Sequence, residues 1–249
     1  MTTAMLDVDN VSRAFDMLRA VDDVSLSVAE GETVGIIGTN GSGKTTLLNL
    51  ITGYLQPTSG RILFRGSDIT GLGPRRVTTL GVARSFQVPQ LYTGLNVLDN
   101  VLIAIAAHSG RGADFWTPMH RRDSLVRAED FLARFGLSDH ATAAVRNLPE
   151  GARKVLDVVL SVILEPRVLL MDEPTSGVSA RDKFSVMDTL MPTLKERRVT
   201  TIFVEHDMEI IERYAERAVA FDAGRIIADG PVAGVLGQAE VRRAVLGEG

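Results

Sequence analysis

The sequence contains no cysteine among its 249 residues. Disulfide bonds and thiolate chemistry are therefore excluded, and a reducing compartment is the natural setting for the chain. An excess of basic residues is also missing, because 27 lysines and arginines stand against 31 aspartates and glutamates, a net charge of −4. Proteins whose main partner is nucleic acid usually carry a basic surplus, so this balance argues against such a partner.

Long hydrophobic runs are lacking as well. The longest, Val155–Leu164, is interrupted by Asp157 and is far shorter than the roughly 20 apolar residues that a membrane-spanning helix needs. The first ten residues carry acidic side chains, whereas a secretory signal begins with a basic segment and an apolar core. We therefore expect a soluble chain without a signal peptide, which can still bind a partner embedded in a membrane.

Apolar residues make up 45% of the chain, enough for a full core, and their spacing alternates between strand and helix patterns. Alternating apolar and polar residues predict half-buried strands at 24–28 and 61–65, and continuous apolar runs predict buried strands at 33–37, 168–172 and 200–206. Helical spacing is found at 47–55, 96–107, 128–135, 180–197 and 208–217, and a hairpin is predicted at 218–230 with its turn at 222–224. Strands alternating with helices predict an α/β fold around a parallel sheet, with a mainly helical insertion from Val88 to Ser161.

The segment GTNGSGKT, residues 38–45, matches the pattern G-x-x-x-x-G-K-[ST] without a mismatch. It follows a predicted buried strand and precedes a predicted helix, so a glycine-rich turn without chemical meaning is disfavoured. In such a loop the backbone N–H groups surround phosphates, the lysine reaches the terminal phosphates and the hydroxyl binds Mg²⁺. We therefore predict Lys44 and Thr45 in those two roles, with further nucleotide contacts from Gly38, Thr39, Asn40, Gly41, Ser42, Gly43 and Thr46.

Acidic residues follow the second buried strand. Asp172 ends the run VLLMD, and Glu173 comes next before Pro174 stops the strand. Because consecutive residues at a strand end project to different sides, Asp172 is predicted to hold Mg²⁺ through water while Glu173 faces an attacking water. A surface acid pair that caps a strand is the alternative. His206 ends the third buried strand; such a histidine is often structural, but beside a nucleotide we expect it to contact the γ-phosphate.

These segments, in this order, resemble the ATP-binding subunits of ABC transporters along essentially the whole chain. The matching stretches are GTNGSGKTT, SFQ at 85–87, LPEGARK at 148–154, VLLMDEPTSG and VEHD. The resemblance implies a P-loop NTPase fold with a parallel-sheet core, a small antiparallel β subdomain and a helical subdomain. The core would comprise residues 1–87 and 162–249, and the helical subdomain residues 88–161.

The resemblance also implies roles for two further residues, ATP as the substrate and Mg²⁺ as its cofactor. Gln87 corresponds to the family glutamine that meets Mg²⁺ and the attacking water and links the core to the helical insertion. An ordinary linker glutamine is the alternative for Gln87. Phe15 lies where the family places an aromatic ring on adenine, although a phenylalanine between two strands is also often part of a core.

A narrower resemblance is to the importers of branched-chain amino acids, amides and urea. It rests on FDMLRAVDDVSLSV, VARSFQVPQLYTGLNVLDNV, the polar insert around 108–123 and the ending AVLGEG. Complexes of this branch pair two different ATPase subunits with two membrane permeases and a periplasmic or lipoprotein solute-binding protein. The chain would then sit peripherally on the cytoplasmic face of the inner membrane. The alternatives are the ATPase of an exporter or a lipopolysaccharide-type transporter, and a nucleotide switch without a transporter.

Two segments depart from the family pattern. The family signature Leu-Ser-Gly-Gly-Gln closes over the ATP of the other subunit, but residues 148–152 here are Leu-Pro-Glu-Gly-Ala. Pro149 has neither hydroxyl nor N–H, and Glu150 brings a negative charge toward phosphates. Ser179 stands where the family usually has an aspartate. The residues for this chain's own ATP are thus expected to be intact, and those lent to the partner eroded.

Overall fold

The computed structural model describes residues 4–109 and 121–246. Its strands are β1 (Ala4–Phe15), β2 (Leu18–Ala29), β3 (Thr33–Gly38), β4 (Ser59–Phe64), β5 (Ser67–Asp68), β6 (Val82–Ser85), β7 (Val168–Asp172), β8 (Thr200–Val204), β9 (Arg217–Asp222) and β10 (Arg225–Pro231). Its helices are α1 (Lys44–Ile51), α2 (Pro74–Leu80), α3 (Val97–His108), α4 (Arg122–Arg134), α5 (Glu150–Ile163), α6 (Lys183–Glu196), α7 (Met208–Tyr214), α8 (Val232–Leu236) and α9 (Ala239–Val241), with short 3₁₀ turns at Ser138–His140 and Val145–Asn147 and a π turn at Arg242–Leu246.

A central sheet of six strands, in the order β10-β9-β3-β8-β7-β6, organises the molecule. Only β10 runs antiparallel to its neighbour, and the other four pairings are parallel. Both faces are covered, because Val168 and Leu170 of β7 belong to one apolar cluster while Leu169 and Met171 belong to the other. This explains why these strands are continuously apolar in the sequence. The predicted α/β fold with a parallel sheet is confirmed.

A second sheet, β2-β1-β4-β5, is antiparallel and packs with α1 in the apolar cluster on one face of the central sheet. The alternation predicted for residues 24–28 is present, since Val24, Leu26 and Val28 are buried and the two serines between them are exposed. The small antiparallel sheet expected from the resemblance is therefore part of this fold.

Helices α3 to α7 contribute to the apolar cluster on the opposite face. Helix α5 is central there, since it contacts α3, α6, β6 and β7. It runs from Glu150 to Ile163, so the predicted boundary after residue 161 falls inside this helix. Trp116, in the polar insert, lies outside the described residues. No helix in the described ranges is both long and apolar enough to cross a bilayer.

Several helix boundaries differ from their predictions. Helix α1 ends at Ile51 rather than near Leu55, because Gly53 adopts a left-handed backbone (φ 76°) that terminates it before Pro57. Helix α7 ends at Tyr214 rather than at Arg217, since Arg217 already pairs with β3 as the first residue of β9. Helix α4 begins at Arg122, earlier than the apolar periodicity indicated.

The left-handed glycine after α1 gives a stability prediction with an internal control. Gly53 and Gly66 share a φ of 76°, but a Cβ on Gly53 would lie 2.1 Å from the Leu72 carbonyl oxygen, whereas one on Gly66 would meet nothing within 4 Å. We expect Gly66→Ala to lower the free energy of unfolding by about 1–2 kcal/mol, the penalty of the left-handed backbone alone. Gly53→Ala adds a steric clash and should cost roughly 3 kcal/mol or more. Urea unfolding of both variants tests this, and equal losses would contradict the predicted clash.

Candidate active site

The loop between β3 and α1 forms a cradle at the carboxyl edge of the central sheet. Gly43 caps α1 with a left-handed backbone (φ 108°), and a Cβ there would lie 2.1 Å from the Ala20 carbonyl oxygen, so only glycine fits. No side chain caps α1, which leaves its first N–H groups available to an anion. A cavity of about 130 Å³ lies here, and the residues that line it are Ala20, Asn40, Gly41, Gly43, Lys44, Thr45, Thr46 and Glu173.

Lys44 lies buried across this loop. Its Nζ donates to the carbonyl oxygens of Gly38 (2.8 Å) and Thr39 (2.7 Å), and it is 3.4 Å from Ser42 Oγ. Burial lowers the pKa of the Lys44 ammonium, while the charges of Glu173 and Asp172 partly offset that effect. The cation is thus fixed at the centre of the cradle, where the loop's backbone N–H groups and the helix end favour an anion.

Asp172, the last residue of β7, lies beside Thr45 with its Oδ1 3.4 Å from the threonine Oγ1. Its other oxygen accepts a 2.6 Å hydrogen bond from the guanidinium of Arg84 in β6, which also donates to Asn49 of α1 at 2.6 Å. Both members of this ion pair are buried, and Arg84 Nε has no hydrogen-bond partner. Sequence reasoning did not identify Arg84, because a single arginine before SFQ carries no spacing signal.

Glu173 is held from both sides. Its Oε2 accepts a 2.7 Å hydrogen bond from Gln87 Nε2, and its Oε1 lies 2.7 Å from His206 Nε2. The residue has a left-handed backbone (φ 51°), which turns its side chain away from that of Asp172 at the strand end. The three predicted residues Gln87, Glu173 and His206 are therefore in direct contact, next to the cradle that Glu173 also lines.

Two buried acidic residues that were not predicted as site residues, Glu205 and Asp157, hold the loops around Glu173 and Gln87 in place. Glu205 is buried and accepts hydrogen bonds from the backbone N (2.9 Å) and hydroxyl (2.7 Å) of Thr175, joining the His206 loop to the loop after Glu173. Burial raises the pKa of the Glu205 carboxyl. Asp157 of α5 accepts hydrogen bonds from the backbone N–H groups of Phe86 (2.9 Å) and Gln90 (3.1 Å). The interruption of the apolar run by Asp157 was the available sequence signal for this contact.

Phe15 lies apart from the cradle. It ends β1 at the tip of the β1–β2 hairpin, is 40% exposed, and has the Arg13 guanidinium 4.7 Å from its ring centre. It is not among the residues that line the cavity. An aromatic contact between Phe15 and a base would therefore form outside that cavity.

The segment Leu148–Ala152 forms the start of α5. Pro149 is the N-cap without a side-chain cap bond, and Leu148 is buried. Glu150 lies in the first turn, with its carboxylate 3.5 Å from the Arg153 guanidinium and its side chain 3.4 Å from the position of a Cβ on Gly177. This ion pair is half-buried and its 3.5 Å separation is long for a hydrogen bond, so it neutralises the Glu150 charge only in part at this helix end.

The environment of Asp157 predicts a pH dependence of stability. Burial raises the pKa of Asp157 from 3.8 to about 6, against the opposing effect of the Phe86 and Gln90 amides. The folded state therefore binds the proton more tightly, so this residue's contribution to stability is greatest below pH 4 and falls as the pH rises to about 6. Relative to Asp157→Asn, the free energy of unfolding of the wild type should fall by on the order of 3 kcal/mol across that window.

Urea unfolding between pH 4 and pH 7 measures this difference. Asp68→Asn is a control, because hydrogen bonds from Thr70 lower the pKa of the Asp68 carboxyl, so that its contribution to stability changes mainly below pH 4. The wild type and Asp68→Asn should therefore keep a nearly constant difference in stability between pH 4 and pH 7. Parallel pH profiles for the wild type and Asp157→Asn would contradict the assignment of a buried, proton-binding carboxyl.

Comparison with known proteins agrees with this geometry. The family model described as "ABC transporter" matches residues 21–176, which include the cradle, Gln87, Asp172 and Glu173. The high-affinity branched-chain amino acid transport ATP-binding protein LivG of Salmonella typhimurium is 33% identical over 255 residues, covering 100% of both chains. The corresponding protein BraF of Pseudomonas aeruginosa is 31% identical over 254 residues, again covering 100% of both.

Solved structures extend the comparison to the fold. An ATP-binding cassette of an ABC transporter, in its ADP conformation, superposes with a TM-score of 0.88 at 30% identity, covering 99% of this chain and 100% of that one. CbiO1 of Clostridium perfringens, part of the transporter complex cbiONQ, gives 0.82 at 27% identity over 99% and 96% of the chains. With the family model covering more than half of its length, this chain belongs to the ABC transporter family as one of its ATP-binding cassettes.

Proposed function

We propose that this chain is the ATP-hydrolysing subunit of an ABC importer for branched-chain amino acids or related amides or urea. The observation that carries the proposal is the contact of Glu173 with Gln87 and His206 beside an uninterrupted phosphate cradle. Full-length similarity to LivG and BraF, whose names state branched-chain amino acid transport, supports the solute class. The chain's own residues account for the hydrolysis step as follows.

The cradle binds the phosphates of ATP through backbone N–H groups, the α1 end and Lys44. The donor set nearby fits Mg²⁺, which prefers oxygen ligands and shares its shell with phosphates and water. Thr45 Oγ1 and the Asp172 carboxylate provide such oxygens 3.4 Å apart, and the Gln87 amide provides a third. Within the described residues no cluster of three or more His, Cys, Asp or Glu side chains could hold a metal alone, consistent with an ion that shares its ligands with the substrate. When bound, the ion neutralises charge that develops on the phosphate oxygens.

Glu173 is the group we assign to the attacking water. Its carboxylate is oriented by Gln87 and His206 and accepts a proton as the water oxygen bonds to the γ-phosphorus and the bond from that phosphorus to the ADP oxygen breaks, which yields ADP and phosphate. We assign His206, whose Nε2 contacts this carboxylate at 2.7 Å, to a γ-phosphate oxygen as well. The Glu173 backbone is fixed as well, because its N–H donates to the Val204 carbonyl oxygen at 3.0 Å. These contacts pre-organise the carboxylate before ATP arrives.

An exposed apolar surface beside Gln87 suits the docking of a membrane subunit. Val88 is 71% exposed and Tyr92 58%, and Tyr54, which packs on Phe86 at 5.6 Å between ring centres, is also exposed. We propose that residues 88–161 act as the helical subdomain and that this surface contacts a permease at the cytoplasmic face of the inner membrane. A periplasmic or lipoprotein binding protein would then deliver the solute from the other side.

Transport by the assembled complex tests the solute class. The chain would be reconstituted in vesicles with its two permeases, second ATPase and binding protein, and uptake of labelled leucine, isoleucine, valine and urea compared with that of an unrelated sugar. ATP-dependent uptake of a branched-chain amino acid, amide or urea supports the proposal. Export of a solute, or ATP hydrolysis without any uptake, would favour the alternative ABC functions.

The eroded signature predicts unequal ATP sites in a heterodimer. Glu173 would face the partner's signature, whereas the partner's ATP would face Pro149, Glu150 and Ala152, which lack the serine hydroxyl and one backbone donor. Each lost charge-assisted hydrogen bond costs about 1.5–3 kcal/mol, so turnover at the second site should be lower by about tenfold or more.

Glu173→Gln in the complex should therefore nearly stop hydrolysis while leaving ATP binding intact, because an amide cannot accept the proton. A loss of about 10²–10⁴ in rate is expected. The matching substitution in the partner should cost much less, and Leu148–Ala152 replaced by Leu-Ser-Gly-Gly-Gln should raise turnover. Steady-state phosphate release measures all three, and equal losses from the two glutamate variants would refute the asymmetry.

The docking surface can be tested by crosslinking, since the chain has no cysteine of its own. Tyr92→Cys and Leu95→Cys should crosslink to a permease in native membranes. Ala223→Cys, on the exposed turn of the β9–β10 hairpin, is the matched control and should not. Crosslinks from Ala223→Cys alone would move the contact to the opposite part of the molecule.

A further inference from the structure

One face of α5 carries buried polar side chains that hold the segment containing Gln87. Lys154, Asp157 and Ser161 are spaced by three and four residues, which places them on the same side of the helix. Asp157 accepts the backbone N–H groups of Phe86 and Gln90, on either side of Gln87, and Ser161 Oγ donates to the Arg84 carbonyl oxygen at 3.1 Å. The helix therefore fixes both ends of the Gln87 segment.

Lys154 makes the central contact of this face. Its Nζ donates to the carbonyl oxygen of Gln87 and, at 3.3 Å, to that of Glu173. The side chain is only 3% exposed. Burial lowers the pKa of the Lys154 ammonium, and the charges of Glu150, Asp157, Glu173 and Glu205 partly oppose this effect. The sequence has four lysines, and only Lys44 and Lys154 among them are buried.

Burying an ammonium is costly unless its donors find well-placed acceptors. Here the two acceptors are main-chain oxygens of the residues whose side chains meet at 2.7 Å, Gln87 and Glu173. A lysine that served only to fill space between α5 and the sheet would be replaceable by an apolar side chain of similar length. The position of its donors instead fixes the separation of the two backbones that present the glutamine and the glutamate.

We propose that Lys154 is a positioning residue for ATP hydrolysis, which links Gln87 and Glu173 to helix α5, whose N-cap is Pro149. This inference rests on the proposed role of Glu173. The segment Leu148–Ala152 leads into α5, on which Lys154 lies. A γ-phosphate that displaces Gln87 or Glu173 therefore also shifts Lys154. The shift is transmitted along α5 to this segment, which faces the partner's nucleotide. One cation thus connects this chain's own ATP site with the part of the chain lent to the other site.

The test compares Lys154→Met with Lys154→Arg in the complete transporter complex. Lys154→Met keeps the length and removes the donors, so kcat should fall by about tenfold or more while KM for MgATP changes by less than about twofold. Lys154→Arg retains donors that can reach both carbonyls and should recover much of the loss. Lys195→Met, at an exposed lysine paired with Glu216, is the control and should match the wild type.

A kcat for Lys154→Met within about twofold of the wild type would overturn the inference. A parallel loss of ATP affinity and melting temperature, without recovery in Lys154→Arg, would overturn it as well, because that pattern indicates only structural support. Should Lys154→Met fail to assemble, Lys154→Gln retains one donor of shorter reach. It should lower kcat at unchanged KM, and an unchanged kcat there would likewise refute the role.

Hydrogen exchange of the complex tests the link between the sites. In a complex whose partner subunit cannot bind ATP, MgATP should slow exchange in the peptides covering residues 84–90 and 149–156 together, and in Lys154→Gln the second peptide should lose that response. Independent responses in the wild type would reject the link. Failure of the proposed solute class can be distinguished from failure of the Lys154 role. A complex that hydrolyses ATP but imports a different solute contradicts the solute class and leaves the Lys154 result intact.

Discussion

The parallel register of the central strands is the constraint on which the site depends. Asp172 of β7 lies opposite Val204 of β8, Met171 lies opposite Ser85 of β6, and Ile36 of β3 also lies opposite Val204. All four strands therefore end at the same edge, where the phosphate cradle, the acidic pair, Gln87 and His206 follow directly. A ligand crevice at the carboxyl ends of parallel strands is the general arrangement in open α/β sheets. A register shift of one residue in β7 would move either Asp172 or Glu173 into the place of the other. It would separate both side chains from their partners.

Buried charges at this edge are each matched to an acceptor or donor. Asp172 is paired with Arg84, Glu205 with Thr175, and Lys44 with carbonyl oxygens of its own loop. Burying a charged group without a partner costs much free energy, whereas a buried group whose hydrogen bonds are all formed is held rigidly. The network therefore fixes the geometry of the site at a cost in stability that the two apolar clusters around the sheet must offset. The site and the core consequently depend on the same strands.

The sequence allowed much of this to be predicted, for identifiable reasons. The segment 38–45 is local and its pattern dictates its own geometry, and VLLMD is continuously apolar because both sheet faces are covered. Residues whose roles come from contacts distant in sequence were not predicted: Arg84 reaches Asp172, and Lys154 reaches Gln87 and Glu173 across the fold. The predicted end of α1 was wrong because the left-handed backbone of one residue, Gly53, terminates the helix, and the apolar spacing does not reveal that conformation.

The left-handed backbone of Glu173 has a consequence for how this chain can vary. A non-glycine residue at φ 51° costs roughly 1–2 kcal/mol relative to a relaxed backbone. Glycine would relieve that strain, but it would also remove the carboxylate and its contacts with Gln87 and His206. Backbone strain at a residue whose side chain is held on two sides is typical of functional sites, where the fold around the residue stabilises the unfavourable conformation.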